Sequence, residues 1–324
     1  MRLTRRISLL VAALLLAGHA AAADGYPAKP IRMFIPAAPG GGVDTVGRVL
    51  ATKLSVSLGK PVIPENRPGA GTMLASEQLA NSPADGYTIL AITSSHAVNA
   101  AVRTSMRYDP VKDFGFVSLA ASAPDLLVVN AESPIHSVSE LIAAAKKNPG
   151  KITFGSAGPG SGSQMDAELL KSMAGIDMLH VPYRGGMPAM TALLANETNL
   201  MFLSAVGLAP QIKAGKLRAL AVTSTKRTAL FPEVPTMAEA GLPGYDAAIW
   251  YGVVVPARTP PAIVALLNKH INEALHDPDV REKLSAAGLD AVGTTPEAFT
   301  RLVRDDIVRW KKVVEKAPEL RVNE

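Results

Sequence analysis

The sequence predicts an α/β fold in which helices cover mainly parallel sheets. Three observations lead there. Short apolar runs alternate with segments of helical spacing, Gly and Pro collect between them, and two Gly-rich turns each join a run to a helix. The chain has 324 residues, 48% hydrophobic and 19% charged, which is too apolar and too evenly charged for disorder. Its length suits two domains or one large one.

Residues 1–23 read as an export signal. Arg2, Arg5 and Arg6 precede an apolar run from Ile7 to Ala17, and Ala21 to Ala23 end the segment with small side chains. The run is too short to span a bilayer comfortably. Cleavage after Ala23 would remove three arginines and no acids, so the formal charge of +5 falls to +2. No later stretch suits a transmembrane helix, and a soluble exported protein is expected. With no cysteine, disulfides, thiolate nucleophiles and zinc ribbons are excluded. No block of five or six like charges suggests nucleic acid.

Ile31 to Ile35 forms the first strand. Asp44 to Leu58 is helical, with Val46, Leu50 and Leu54 on one face. Tyr87 to Thr93 and Leu126 to Asn130 are strands, and Val138 to Lys147 is a helix. Ile152 to Gly155 is a strand that leads through a Gly/Ser turn to a helix from about Gln164 to Ala174. Met178 to Val181, Asn199 to Leu203, Leu217 to Thr223 and Ile249 to Val255 are strands. The tail from Pro260 is mostly helical.

The first Gly-rich turn is Pro36-Ala37-Ala38-Pro39-Gly40-Gly41-Gly42-Val43-Asp44. Its glycines let the backbone approach a ligand, and the free N–H groups of the following helix turn favour a carboxylate. Asp44 is expected to cap that helix and fix the loop. The second turn, Gly155 to Gln164, adds hydroxyls: its serines can donate to a carboxylate while backbone amides complete an anion nest. Neither turn is a nucleotide motif. Gly155 and Gly160 have phosphate-loop spacing without the Lys, and Gly158-x-Gly160 lacks a third glycine. Two such turns in separate halves point to a shared anion cleft at the carboxyl ends of strands.

Catalytic signatures are mostly missing. His96, His136, His180, His270 and His276 show no metal-ligand spacing, and no serine sits in a G-x-S-x-G elbow. No metal and no cofactor are expected. Ser94 and Ser95 read as loop contacts to ligand. His180 reads as a strand residue with its hydrogen bonds satisfied. Asp109, Asp113 and Asp125 read as caps at turns, and Trp250 and Trp310 as core.

Several ordered blocks carry a family resemblance. They are Tyr26-Pro27-x-Lys29-Pro30-Ile31, Pro39-Gly40-Gly41-x-x-Asp44, Glu65 to Gly71, Asp85-Gly86-Tyr87-Thr88, Val181 to Gly185, Lys213 to Val222, Pro235 to Gly241 and Trp250-Tyr251-Gly252. The chain resembles the substrate-binding proteins of tripartite tricarboxylate transporters, the Bug family, along essentially all of its mature length. The resemblance implies a two-lobe periplasmic binding protein, type II-like, with two crossovers and mainly parallel sheets. Lobe 1 would hold 24–124 and 248–324, and lobe 2 would hold 125–247. It implies a monomer that closes by hinge motion on a small organic carboxylate and delivers it to integral-membrane permease subunits. The carried-over ligand contacts are Ala37, Ala38, Gly41, Gly42 and Asp44 in the first turn and Ser156, Ala157, Gly158 and Ser161 in the second. Ser94, Ser95, Tyr183 and Gly185 would line the cleft, and Glu65 to Gly71 would shape it. Relatives often carry Asp where this chain has Leu203, which disfavours an amino-acid ligand; Ser204 is the nearest polar substitute. Departures also fall at Ala37, Pro159 and Gln164. The alternatives are a ligand-sensing partner of a membrane signalling protein, and an exported hydrolase using Ser156 or Ser161.

Overall fold

The computed structural model describes residues 25–322 apart from Ala38, Pro159, Gly160 and Arg184. The expected export signal lies outside the described residues. Two sheets organise the chain. The first contains β1 (Ile31–Ile35), β2 (Val62–Asn66), β3 (Thr88–Thr93), β4 (Phe114–Ala123), β10 (Ile249–Pro256) and β11 (Asp290–Ala291), in the order β11-β4-β10-β3-β1-β2. The second contains β5 (Asp125–Asn130), β6 (Thr153–Ser156), β7 (Leu179–Pro182), β8 (Leu200–Ser204) and β9 (Leu217–Val222), in the order β7-β6-β8-β5-β9.

Helices cover both sheets. Those of the first sheet are α1 (Gly42–Ser57), α2 (Met73–Ala80), α3 (Ser95–Val102), α8 (Pro261–His276), α9 (Pro278–Ala286) and α10 (Pro296–Lys316). Those of the second are α4 (Val138–Lys147), α5 (Gly162–Ala174), α6 (Gly186–Leu194) and α7 (Ala205–Lys213). β1 reads as a nearly continuous apolar run because both of its faces are buried. Ile31, Met33 and Ile35 pack with Val46, Leu50 and Leu54 of α1 and Leu267 of α8. Phe34 faces the opposite layer with Leu79, Ala97 and Val303. The second sheet repeats the arrangement: Leu126 and Val128 pack with Met190, Leu193 and Leu208, while Leu127 and Val129 share the other cluster with Leu141, Met165 and Leu169.

The sheets are mixed. The expected parallel pairing holds for β2-β1-β3 and for β7-β6-β8. β4, β10, β5 and β9 pair antiparallel. The physical reason is the route of the chain. It leaves the first sheet through β4, passes only Pro124 and enters the second as β5; it returns from β9 through residues 223–248 to β10. The entering strands β5 and β10 start where the parallel strands end, so they run against them. Thr223 ties the two passages together: its Oγ1 accepts from Asp125 N–H at 2.9 Å, its N–H donates to Asp125 O at 2.9 Å, and its carbonyl accepts from Ala247 N–H at 3.0 Å.

Helix α1 starts at Gly42 and α5 at Gly162, each two residues before the predicted start. β2, β4, α2 and α3 were not predicted. β2 is an edge strand that tolerates Pro64, and β4 is rich in Ala, Ser and Gly, so neither shows the usual β composition.

β10 meets α10 with no clearance. A Cβ on Gly252 would overlap the Phe299 ring and lie 2.9 Å from Ser118 O. Gly252→Ala is therefore expected to destabilise the protein by about 1–3 kcal/mol, seen as a lower midpoint in urea or thermal unfolding. An unchanged midpoint would mean that the sheet and α10 are not packed this closely.

Candidate functional site

The residues singled out by sequence gather at the carboxyl ends of parallel strands. β1 runs into the first Gly-rich turn, and β3 ends at Ser94 and Ser95. β6 runs into the second turn, β7 into Tyr183 to Gly185, and β8 ends at Leu203 and Ser204. Ala38 lies outside the described residues.

The first turn is fixed by side chains that point into it. Gly40 has a φ of 97°, a left-handed conformation that a Cβ would strain. Its N–H donates to Asp44 Oδ2 at 2.9 Å. Asn66 Nδ2 donates to Asp44 Oδ1 and to Ala37 O, both at 2.8 Å, and Arg48 Nε donates to Asp44 Oδ1 at 3.0 Å. Burial opposes ionisation of Asp44, yet the bonds from Arg48, Asn66 and Gly40 hold its carboxyl below the ordinary range. Asp44 is not the helix cap. Gly41 occupies that position without a side-chain bond, and Asp44 grips the turn from inside the helix. The Glu65 to Gly71 block shapes the turn from beside it: Asn66 belongs to it, and Arg67 N–H donates to Ile35 O at 2.7 Å. Hydrogen bonds from Arg32 and Arg67 hold Glu65 down to about 2 against burial. The groups left for an anion are the N–H groups of the first turn of α1, which lack intrahelical acceptors.

The hydroxyls of the second turn are likewise spent on holding it. Ser161 caps α5, donates to Gly158 O at 2.6 Å and accepts from Gln164 N–H at 3.4 Å. Ala157 N–H donates to Ser163 Oγ at 2.9 Å. Ser156 is fully buried; its Oγ lies 2.6 Å from His180 Nε2 and accepts from Gly158 N–H at 3.1 Å. Ser156 thus supports the turn, where the sequence suggests a contact to the ligand. Gly158, with a φ of 122°, lies under the Tyr183 carbonyl.

Ser156 and His180 resemble a nucleophile and its base, but the hydrogens run the wrong way. Gln164 Nε2, a donor only, lies 3.2 Å from His180 Nδ1, so Nδ1 accepts and Nε2 carries the hydrogen toward Ser156. A general base needs a free lone pair on Nε2. Burial, with Lys171 nearby, also lowers the His180 pKa. His180 is the satisfied strand residue that the sequence predicts.

Around these turns, Ser94 and Ser95 are half-buried, with Ser94 N–H donating to Trp250 O at 2.9 Å and Ser95 N–H to Thr93 Oγ1 at 3.1 Å. His96 turns away into a cage of Tyr108, Phe114 and Phe116 and bonds Pro110 O at 2.7 Å. Tyr183 is half-buried, and its N–H donates to Ser156 O at 3.0 Å. Gly185 opens α6. Leu203 lies against Gly186 and Gly207, and Ser204 caps α7 by accepting from Gly207 N–H at 3.4 Å.

Two groups escaped the sequence reading. Tyr251 appeared there only as part of a motif, yet its ring tip meets Gly42 at the start of α1. Asp125, read as a turn cap, opens β5 opposite Ser204 and interacts with Asp166 of α5; each is 3% exposed. Burial pushes Asp125 up to about 6. Burial and the charge of Asp125 push Asp166 well above the ordinary range. The two acids are far apart in sequence and match no motif. The negative charge of Asp125 also reaches Tyr251.

The family model described as "Tripartite tricarboxylate transporter family receptor" matches residues 46–318. Protein BugT of Bordetella pertussis is 39% identical over 97% of this chain and 98% of its own length. A Rhodopseudomonas palustris protein solved with adipate is 35% identical, with a TM-score of 0.73, covering 90% of this chain and 98% of that one. MatC of Rhodopseudomonas palustris with bound malate is 32% identical, with a TM-score of 0.71, covering 89% and 100%.

The acid pair predicts a stability profile. The folded state binds its protons more tightly than the unfolded chain, so this contribution is fully present below the unfolded carboxyl pKa of about 4. It is lost as pH rises through the raised folded values, and above them two buried charges repel. Asp125→Asn is expected to flatten the fall in Tm between pH 4 and 8 and to raise Tm at pH 8 by about 2–4 °C. The same slope in both proteins would show that the raised pKa values of this pair do not set the profile.

Proposed function

The chain belongs to the tripartite tricarboxylate transporter receptor family, and on that premise we propose that it is an extracytoplasmic binding protein for a small carboxylate. The observation that carries this reading is that each sheet presents a helix-opening Gly-rich turn at the carboxyl ends of its parallel strands. The two sheets act as lobes, 24–124 with 248–324 and 125–247, and the ligand's negative end sits between their turns. Peptide N–H groups of α1 and α5 hold it, with Ala37, Gly41 and Gly42 on one side and Ala157, Gly158 and Ser161 on the other. Asp44 and Ser156 keep those turns in shape. Each charge-assisted bond contributes roughly 1.5–3 kcal/mol.

Closure follows from linkage. A ligand that touches both lobes favours the state in which they approach, and only by the difference in contact between states. Ser94, Ser95, Tyr183 and Gly185 line the cleft, and Leu203 and Ser204 face the far end of the ligand. Adipate and malate, held by two relatives, share the carboxylate that the turns suit. Leu203 gives an ammonium group no partner, so a carboxylate on an apolar chain fits better than an amino acid. The export segment is removed near Ala23, and the protein works in the periplasm as a monomer that delivers its ligand to integral-membrane permease subunits. It has no catalytic role, in keeping with the hydrogen direction between His180 and Ser156.

Thermal shift with a panel of mono-, di- and tricarboxylates tests this. A ligand at about a hundred times its Kd is expected to raise Tm by roughly 5 °C; no shift with any member would remove the carboxylate reading. A side chain on Gly42 would collide with Tyr251, whose Cζ lies 2.9 Å from the Cβ position. Gly42→Leu should therefore abolish the shift in a protein that still unfolds cooperatively. Undiminished affinity would place the ligand elsewhere.

A further inference from the structure

Tyr251 stands on β10 opposite Thr93, the last residue of β3 before Ser94 and Ser95. The register against β4 slips between Tyr251 and Gly252. Such a bulge re-aims a side chain. The ring packs with Ile35, Val43 and Ala91 under α1, and the residue is 8% exposed. Its tip ends at Gly42, the first residue of the helix.

The hydroxyl has no hydrogen-bond partner among the described residues. Its neighbours explain why. The first turn of α1 offers N–H groups and so no acceptor for the phenol hydrogen. Asp44, the nearest carboxylate in the turn, is committed to Gly40, Asn66 and Arg48. Two kinds of donor, the phenol and the helix amides, therefore stand at the helix start, where the helix dipole adds partial positive charge. What satisfies all of them is an acceptor with negative charge.

We infer that Tyr251 donates its phenol hydrogen to one carboxylate oxygen of the ligand, while the first-turn amides of α1 hold the same carboxylate. The assignment rests on the carboxylate-binding reading and adds to it the side chain that reads the anion on the lobe 1 side. Burial and the charge of Asp125 push the phenol up to about 12, so it keeps its hydrogen at any pH where the protein works. Tyr251 also explains why position 42 needs glycine: any Cβ there would displace the hydroxyl from its place at the helix start.

The test is Tyr251→Phe, which removes one oxygen and keeps the ring in the core. Adipate and malate serve as probes, with affinity measured by titration calorimetry and Tm measured without ligand. For each probe that the unaltered protein binds, the variant is expected to bind at least about tenfold more weakly. Its ligand-free Tm should stay within about 2 °C, because the lost hydroxyl has no partner in the protein. Binding within about twofold of the unaltered protein would overturn the assignment while leaving the carboxylate reading intact. A fall in ligand-free Tm beyond that range would show that the hydroxyl serves the fold, and would also overturn it. If the unaltered protein binds neither probe nor any other carboxylate in the panel, the broader reading fails and the role of Tyr251 falls with it.

Discussion

The register at the two crossings is the constraint on which the rest of the molecule depends. Asp125 is paired with Ser204 at the end of β8, and Tyr251 with Thr93 at the end of β3. Each crossing strand therefore enters its sheet at the end where the parallel strands stop. A slip of one residue would turn Tyr251 away from α1 and Asp125 away from α5, because side chains alternate between the faces of a sheet. The Thr223 hydrogen bonds lock the two passages to each other. Both turns thus inherit their positions from backbone pairing.

The turns themselves divide labour between backbone and side chain. Asp44, Asn66, Ser161 and Ser163 satisfy one another and the loop carbonyls and amides. Polar side chains that sequence inspection assigns to a ligand are used to hold peptide groups in place. The unpaired N–H groups are then oriented before any anion arrives, and little ordering remains to be done on binding. The buried acid pair is a separate feature: burial raises both carboxyls, and the charge of Asp125 raises Asp166 further.

Much of the fold was legible from the order of residues alone. The apolar runs of β1, β3, β5 and β9 and the spacing of Val46, Leu50 and Leu54 mark their elements directly. β4 was not legible, because an Ala- and Ser-rich strand is set by its neighbours β10 and β11 rather than by its own propensity. The two turns were legible because glycine at the start of a helix has few other uses. The function of their side chains was not. Whether Ser156 faces a ligand or His180 depends on the pairing of β6 with β7, which no local pattern encodes. Asp125 and Asp166 meet only because one opens a crossing strand and the other sits on the buried side of α5.

The shorter of the two connections between the sheets has a mechanical consequence. One residue, Pro124, separates β4 from β5, and its carbonyl is held by Ala205 N–H at 3.2 Å. A junction with so little slack behaves as a flexure and not as a tether. It permits bending about a short axis and resists stretching or sliding. The two halves of the grip then stay within a fixed radius of each other whatever the bend, so a solute caught by one half meets the other at a high effective molarity. Lengthening that joint by a few flexible residues would dilute the second half of the grip without altering a single atom that touches the solute.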